Sequence, residues 1–368
     1  MPAKLTELTE ISTALGMLGI PDLHYGISNG AAQLIDVPES AWIGLAISVL
    51  DEKNFHIASI AFENGRAFLD SSQGLRGRTP KRISWKGPVN TPGQDLIPAD
   101  LVIDYVYLVS CKYLSRNIIN GSPSHVFEQQ LSNRPTKRTS DWFQKVARVE
   151  HERLYECFVY ELRGEINLPS KLPMLTSENK KELKKLKLKK WPGESSGLYL
   201  EFAQAVSENT VKLWQKSLPN LVDQERLLWR MLRMADVSYF LLGAKSISNP
   251  LRLRVATPWE WRKNYELKAF EVFSKKSGQP RVEWVAVVND LRKKVSINLA
   301  GHVEIRWSHG KFCGSPEAKI YLDSPIDDIP GYYPLDYDIE QSSHYVQESG
   351  VRTSPTLNAS SNQGVFKI

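Results

Sequence analysis

Pro98-Ala99-Asp100-Leu101-Val102-Ile103-Asp104-Tyr105-Val106-Tyr107-Leu108-Val109-Ser110-Cys111-Lys112-Tyr113-Leu114 is the stretch that decides how this chain is read. Its two apolar runs, 101–103 and 106–109, have the length and the β-branched content of buried strands. Asp100 opens the first run, and Lys112 lies inside the continuation of the second. An ammonium group is rarely placed in such a run without a partner or a task, because removing it from water is costly. A tight turn near Asp104-Tyr105 brings the outer ends of the two strands together. A strict two-residue turn sets Asp100 and Lys112 on opposite faces, whereas a three-residue turn or a bulge sets them on one.

Outward from this hairpin the chain alternates helical and extended patterns. Residues 7–18 read as a helix ending near Gly19, and 38–53 as a helix opened by Pro38-Glu39-Ser40 or as a strand. Asn64-Gly65 between the apolar runs 57–62 and 66–69 carries the signature of a β-hairpin. Residues 71–97, rich in Gly, Pro, Arg and Lys, read as a surface loop. Ser122 with Pro123 starts a helix, and 139–163 has helical spacing throughout. The lysine run 184–190, stopped by Pro192-Gly193, reads as a linker. Helices are expected at 197–216 and 222–241, then period-two strands from 251 to 323, and a polar tail after Pro330. The expected organisation is therefore a first domain at 1–165, a basic linker at 166–196, a helical then antiparallel β domain at 197–330, and a tail at 331–368.

Composition bounds the class. The 368 residues are 42% hydrophobic and 10% aromatic, enough for a sizeable core. Forty-seven basic residues against 41 acidic ones give a charge of +6, which permits a polyanionic partner without demanding one. Cys111, Cys157 and Cys313 are far apart and form no Cys-x-x-Cys pair, which argues against a disulfide scaffold or a zinc ribbon. The polar N-terminus lacks a secretory pattern, and no apolar run approaches a membrane span, so a soluble, cytoplasmic protein is expected. Without a Gly-rich phosphate loop, nucleotide-driven chemistry is unsupported.

A carboxylate and a lysine at one end of two paired strands can hold a divalent metal and a phosphate together. Pro98-x-Asp100 followed by Ser110-x-Lys112 resembles the motif of the PD-(D/E)XK superfamily, the restriction-endonuclease-like nucleases, over residues 30–135. Most members are acidic where this chain has Ser110. Members with the Ser-x-Lys form recruit a glutamate from the following helix, and here that residue is Glu128. The resemblance implies Asp100 and Glu128 as ligands of Mg²⁺ or Mn²⁺, with Lys112 meeting phosphate and water beside Ser110. Many members also carry a glutamate on an early helix, a place that Glu39 or Glu52 can fill. The implied fold is α/β (α+β), a mixed sheet flanked by helices, joined here to a C-terminal helical and antiparallel β-rich domain.

The implied activity is metal-dependent DNA endonuclease action in prokaryotic restriction or anti-phage defence, with a homodimer or other defence-complex subunits as partners. The alternative is a non-catalytic nucleic-acid or protein-binding subunit, which Ser110 favours. If the C-terminal half touches a duplex, Arg306, His309 and Lys311 are the residues to meet phosphates or base edges. His302, Glu304 and Arg306 share one face of an expected strand and read first as a polar surface. Trp259 and Trp261 read as seam packing, and Cys111 as a core residue facing away from Ser110 and Lys112. Among other acid-x-Lys triplets, Glu266-Leu267-Lys268 lies on an expected strand, but the neighbouring strand lacks an acid.

Overall fold

Strand pairing is set by apolar alternation. In the computed structural model, residues 4–87, 98–114, 117–132, 141–246, 249–307 and 310–335 are described. The strands are β1 (Leu34–Ile35), β2 (Ile83–Trp85), β3 (Leu101–Ile103), β4 (Tyr107–Tyr113), β5 (Asn117–Gly121), β6 (Tyr239–Ser246), β7 (Asn249–Val255), β8 (Tyr265–Ser274), β9 (Arg281–Asp290), β10 (Val295–Trp307), β11 (Pro316–Leu322) and β12 (Tyr332–Pro334). The helices are α1 (Leu5–Gly16), α2 (Leu23–Asn29), α3 (Glu39–Ser48), α4 (Glu52–Asp70), α5 (Pro123–Phe127), α6 (Trp142–Val146), α7 (Arg148–Glu161), α8 (Ser177–Lys185), α9 (Ser195–Ser217), α10 (Leu221–Met231) and α11 (Pro258–Asn264).

The protein is mixed α/β. A seven-stranded open sheet runs β1-β2-β3-β4-β6-β7-β12, and a separate five-stranded sheet runs β5-β11-β10-β9-β8. The first sheet is mixed: β1 pairs with β2 and β4 with β6 in parallel, and its other pairs are antiparallel. Tyr239-Phe240-Leu241-Leu242 of β6 is apolar without alternation because both faces of that strand are covered. Helices α1 and α4 pack on one face of this sheet, while α9 and α10 cover the second, antiparallel sheet.

Several expectations change. Asn64-Gly65 is not a hairpin turn but lies inside α4. A β-carbon on Gly65 would sit 2.0 Å from the Thr13 carbonyl oxygen, and one on Gly16 would sit 1.9 Å from that of Phe62. The two glycines let α1 and α4 touch backbone to backbone, and this tertiary contact outweighs the local turn preference. Asn64 is buried and donates to Gly243 O (2.7 Å) and the Tyr113 hydroxyl (3.1 Å).

Residues 38–53 resolve as helix, in α3 and the start of α4. The surface loop expected at 71–97 contains β2, and its residues 88–97 lie outside the described ones. The single helix expected at 139–163 breaks at Ala147, where ψ is 51°, into α6 and α7. The helix expected to reach 241 stops at Met231, where Arg233 adopts a left-handed φ of 56°, and the chain continues as β6. The strands expected after 251 are present, with 295–307 as one strand passing through Gly301. A side chain at Gly301 would strike Trp284 at 2.3 Å.

The expected linker at 166–196 falls between strands of both sheets. β5 precedes it and joins the second sheet, whereas β6, β7 and β12 follow it and join the first. The lysine run belongs partly to α8, whose Leu183 is buried. Of the expected tail, β12 pairs with β7, and residues 336–368 lie outside the described ones. Among the described residues no helix is long and apolar enough to cross a membrane.

Candidate active site

The β3–β4 hairpin closes with Ile103 opposite Tyr107, which leaves Asp104, Tyr105 and Val106 as a three-residue turn. Asp104 and Tyr105 both take left-handed backbone angles. The Asp104 carboxylate holds the turn by accepting from the Lys81 (2.9 Å) and Arg82 (2.8 Å) amides. The odd turn places Asp100 beside Ser110, at the middle of β4. The Asp100 carboxylate accepts from the Cys111 amide at 2.6 Å and from the Ser110 hydroxyl at 3.3 Å. Alternation along β4 sends Val109 and Tyr113 toward α1 and α4, and Ser110 and Lys112 into a cavity on the other face.

A second acidic group joins them from an element that sequence reasoning passed over. Glu10 sits on α1 and accepts from the Trp85 indole at 2.7 Å. Burial pushes Glu10 up to about 8, with the Asp100 carboxylate adding to the rise and the Trp85 N–H opposing it. Burial also raises Asp100, against the pull of the Cys111 amide and the Lys112 ammonium. Lys112 is lowered by burial and then by the Arg233 guanidinium, while Asp100 and Glu10 oppose the fall. Among the described residues, no hydrogen bond or ion pair satisfies the Lys112 ammonium. Burial pushes the Cys111 thiol well up, which keeps it protonated and makes it a core group rather than a nucleophile.

The cavity, about 720 Å³, lies between the two sheets. Ser110, Lys112 and Arg233 stand on its wall from the first sheet side; Arg281, His302 and Asp323 stand on the other. Neither Asp100 nor Glu10 lines it. Asp100 reaches it through the Ser110 hydroxyl, and Glu10 through its field on Lys112. A volume of this size lies within the roughly 300–1,000 Å³ range of small-ligand sites.

Two groups can be tested for a metal. Glu10 and Asp100 are two largely enclosed carboxylates: burial raises both, and the Asp100 charge raises Glu10 further. Such a pair offers hard oxygen donors whose mutual repulsion a divalent cation relieves, so the residues fit Mg²⁺ or Mn²⁺. Glu283, His302 and Asp323 also lie with ligand atoms within 4.8 Å of one another. There the Arg281 guanidinium already stands 2.6 Å from Glu283 and 3.6 Å from Asp323, so a cation is built in.

The structure does not bring Glu128 to this site. It caps the end of α5 and pairs with Lys145 on α6, about a third exposed. Glu39 and Glu52 lie in the first turns of α3 and α4, exposed, where they suit the helix dipole. Arg306 pairs with Glu304 at 3.4 Å, and Lys311 donates to the Leu188 carbonyl at 2.6 Å beside the Trp191 ring. His309 lies outside the described residues. Trp261 is buried against Trp229, while Trp259 is exposed under Lys263. No family model, curated protein or solved structure matches this chain.

Proposed function

We propose that this chain is a metal-dependent phosphodiesterase, a DNA endonuclease of the restriction-endonuclease-like kind, acting in prokaryotic restriction or anti-phage defence. The observation that carries the reading is Lys112: a largely enclosed ammonium without hydrogen bond or ion pair among the described residues, facing a cavity, with the Asp100 and Glu10 carboxylates near it. An unsatisfied buried charge is costly to keep, and such groups concentrate where chemistry is done. The PD-(D/E)XK resemblance then extends in one respect. Glu10 on α1 takes the place of the early-helix glutamate, and it, not Glu128, completes the carboxylate pair with Asp100.

In this reading Glu10 and Asp100 would hold Mg²⁺ or Mn²⁺, which supplies charge neutralisation and an acidic bound water. The chain's own residues do the rest. Lys112 and Arg233 meet the non-bridging oxygens of a phosphodiester seated in the cavity. The Ser110 hydroxyl and the Cys111 amide fix the Asp100 carboxylate in place. The apolar wall of Tyr239 and Leu241 limits bulk water.

The test is incubation with plasmid DNA and Mg²⁺, with EDTA as control. Wild type is expected to nick or linearise the plasmid and Lys112→Ala to leave it intact while keeping its melting temperature. Undiminished cutting by well-folded Lys112→Ala would remove the reading. The second reading, a non-catalytic binding subunit, is favoured by Ser110 standing where an acid is usual. It expects no cutting and no stabilisation by Mg²⁺ or Mn²⁺.

A further inference from the structure

The wall of the cavity opposite Lys112 carries a histidine held as an acid–base group is held. His302 is buried, on β10, and lines the same cavity as Ser110, Lys112 and Arg233. Its Nδ1 bonds the Asp323 carboxylate at 2.8 and 3.0 Å, and its ring stacks on Tyr321 with centroids 4.8 Å apart. Those contacts fix both the ring plane and the tautomer. Among the described residues Nε2 makes no hydrogen bond, and its nearest acidic atom is a Glu304 oxygen at 3.8 Å. The neighbouring charges are spoken for: Glu304 accepts from Gln279 at 2.6 Å, and Arg281 pairs with Glu283. What remains is one imidazole nitrogen, oriented from behind, with the Glu304 carboxylate 3.8 Å away and no hydrogen bond among the described residues.

We propose that His302 is the general acid of the hydrolysis, positioned by Asp323; this rests on the phosphodiesterase reading above. Displacement at phosphorus is in line, so attacking and leaving oxygens face opposite ways. A phosphodiester held by Lys112 against the first wall turns its leaving oxygen toward the second, where His302 stands. Water oxygen bonds to phosphorus as the phosphorus–leaving-oxygen bond breaks. The electron pair of that bond goes to the leaving oxygen, which takes the Nε2 proton. One water proton stays on the new phosphomonoester, and the other goes to solvent, from which His302 is recharged.

A leaving group that needs no proton separates this role from a structural one. The substrates are a short oligonucleotide, whose leaving group is a sugar alkoxide, and thymidine 5′-p-nitrophenyl phosphate, whose nitrophenolate leaves unaided. His302→Gln is expected to lower kcat on the oligonucleotide about 100-fold and to leave the nitrophenyl ester at the wild-type rate. Asp323→Asn is expected to show the same selectivity at smaller size, and Lys112→Ala to lose both reactions. Equal slowing of the two substrates by a well-folded His302→Gln, or of neither, overturns the assignment while the phosphodiesterase reading stands. If wild type with Mg²⁺ cleaves neither substrate, both readings fall together.

Discussion

The Trp85 indole donates to the Glu10 carboxylate at 2.7 Å, and this bond fastens the first helix to β2, the strand whose Trp85 pairs with Leu101 next to Asp100. Because the N–H favours the ionised form, it partly offsets the cost of enclosing Glu10. Trp85→Phe keeps the ring but removes that donor. It is expected to push Glu10 higher still and to weaken Mg²⁺ binding several-fold, read by titration calorimetry.

Glu10 sets a pH dependence of known sign. The folded chain holds this proton to about 8, whereas an unfolded carboxyl releases it near 4.5. The stabilising effect of the protonated group is complete below 4.5, declines as pH rises through that window, and is gone above 8. Glu10→Gln is expected to flatten the decline and to gain a few kcal/mol above pH 8, since each factor of ten in a proton equilibrium is about 1.4 kcal/mol. Because the metal replaces the proton, the Mg²⁺-induced rise in wild-type melting temperature should grow with pH, and Glu10→Gln should lose it.

Lys112→Met is expected to abolish cleavage and at the same time to raise stability, on the order of 1 kcal/mol, because an unsatisfied ammonium is exchanged for an apolar chain of similar length. Thermal unfolding beside the plasmid assay checks both halves. A destabilised Lys112→Met protein would mean that the ammonium has a structural partner after all.

Glu128→Ala should change neither cutting nor the metal-induced shift. It removes a partly exposed pair with Lys145, and such pairs contribute about 0–1 kcal/mol. Loss of metal response in this variant would return the helix glutamate to the site.

Gly65→Ala should cost about 3 kcal/mol or more, because the new carbon would lie 2.0 Å from the Thr13 carbonyl and α1 would have to move. Gly164→Ala, with open space around it, is the control and should be neutral. Since α1 carries Glu10, cleavage by Gly65→Ala should fall even where it remains folded.

What could be read from the sequence follows locality. The 98–114 stretch was legible because its strands are adjacent and apolar and its turn has a definite length; the requirement of three turn residues was met. The antiparallel strands after 251 were legible by alternation. Glu10 was not, because Leu-Thr-Glu-Leu-Thr-Glu-Ile offers two glutamates that differ only in what α1 packs against. Asn64-Gly65 was misleading for the same reason: its glycine answers to Thr13 and Gly16, far along the chain. β2, three residues inside a polar stretch, carries too short a pattern to stand out. His302 was visible as a residue, but its pairing with Asp323 depends on the β10–β11 turn bringing 323 back beside it.

The passage of β5 into one sheet and of β6 into the other governs how the polypeptide can acquire its shape during synthesis. β4 ends at Tyr113, yet its parallel neighbour begins only at Tyr239, so the first layer must leave the ribosome with an unzipped edge. Such distant closure is slow, and an unpaired edge meanwhile invites other chains to add to it. Aggregation of fragments ending before Tyr239, relieved once Val255 is included, is the signature this connectivity should leave in a truncation series.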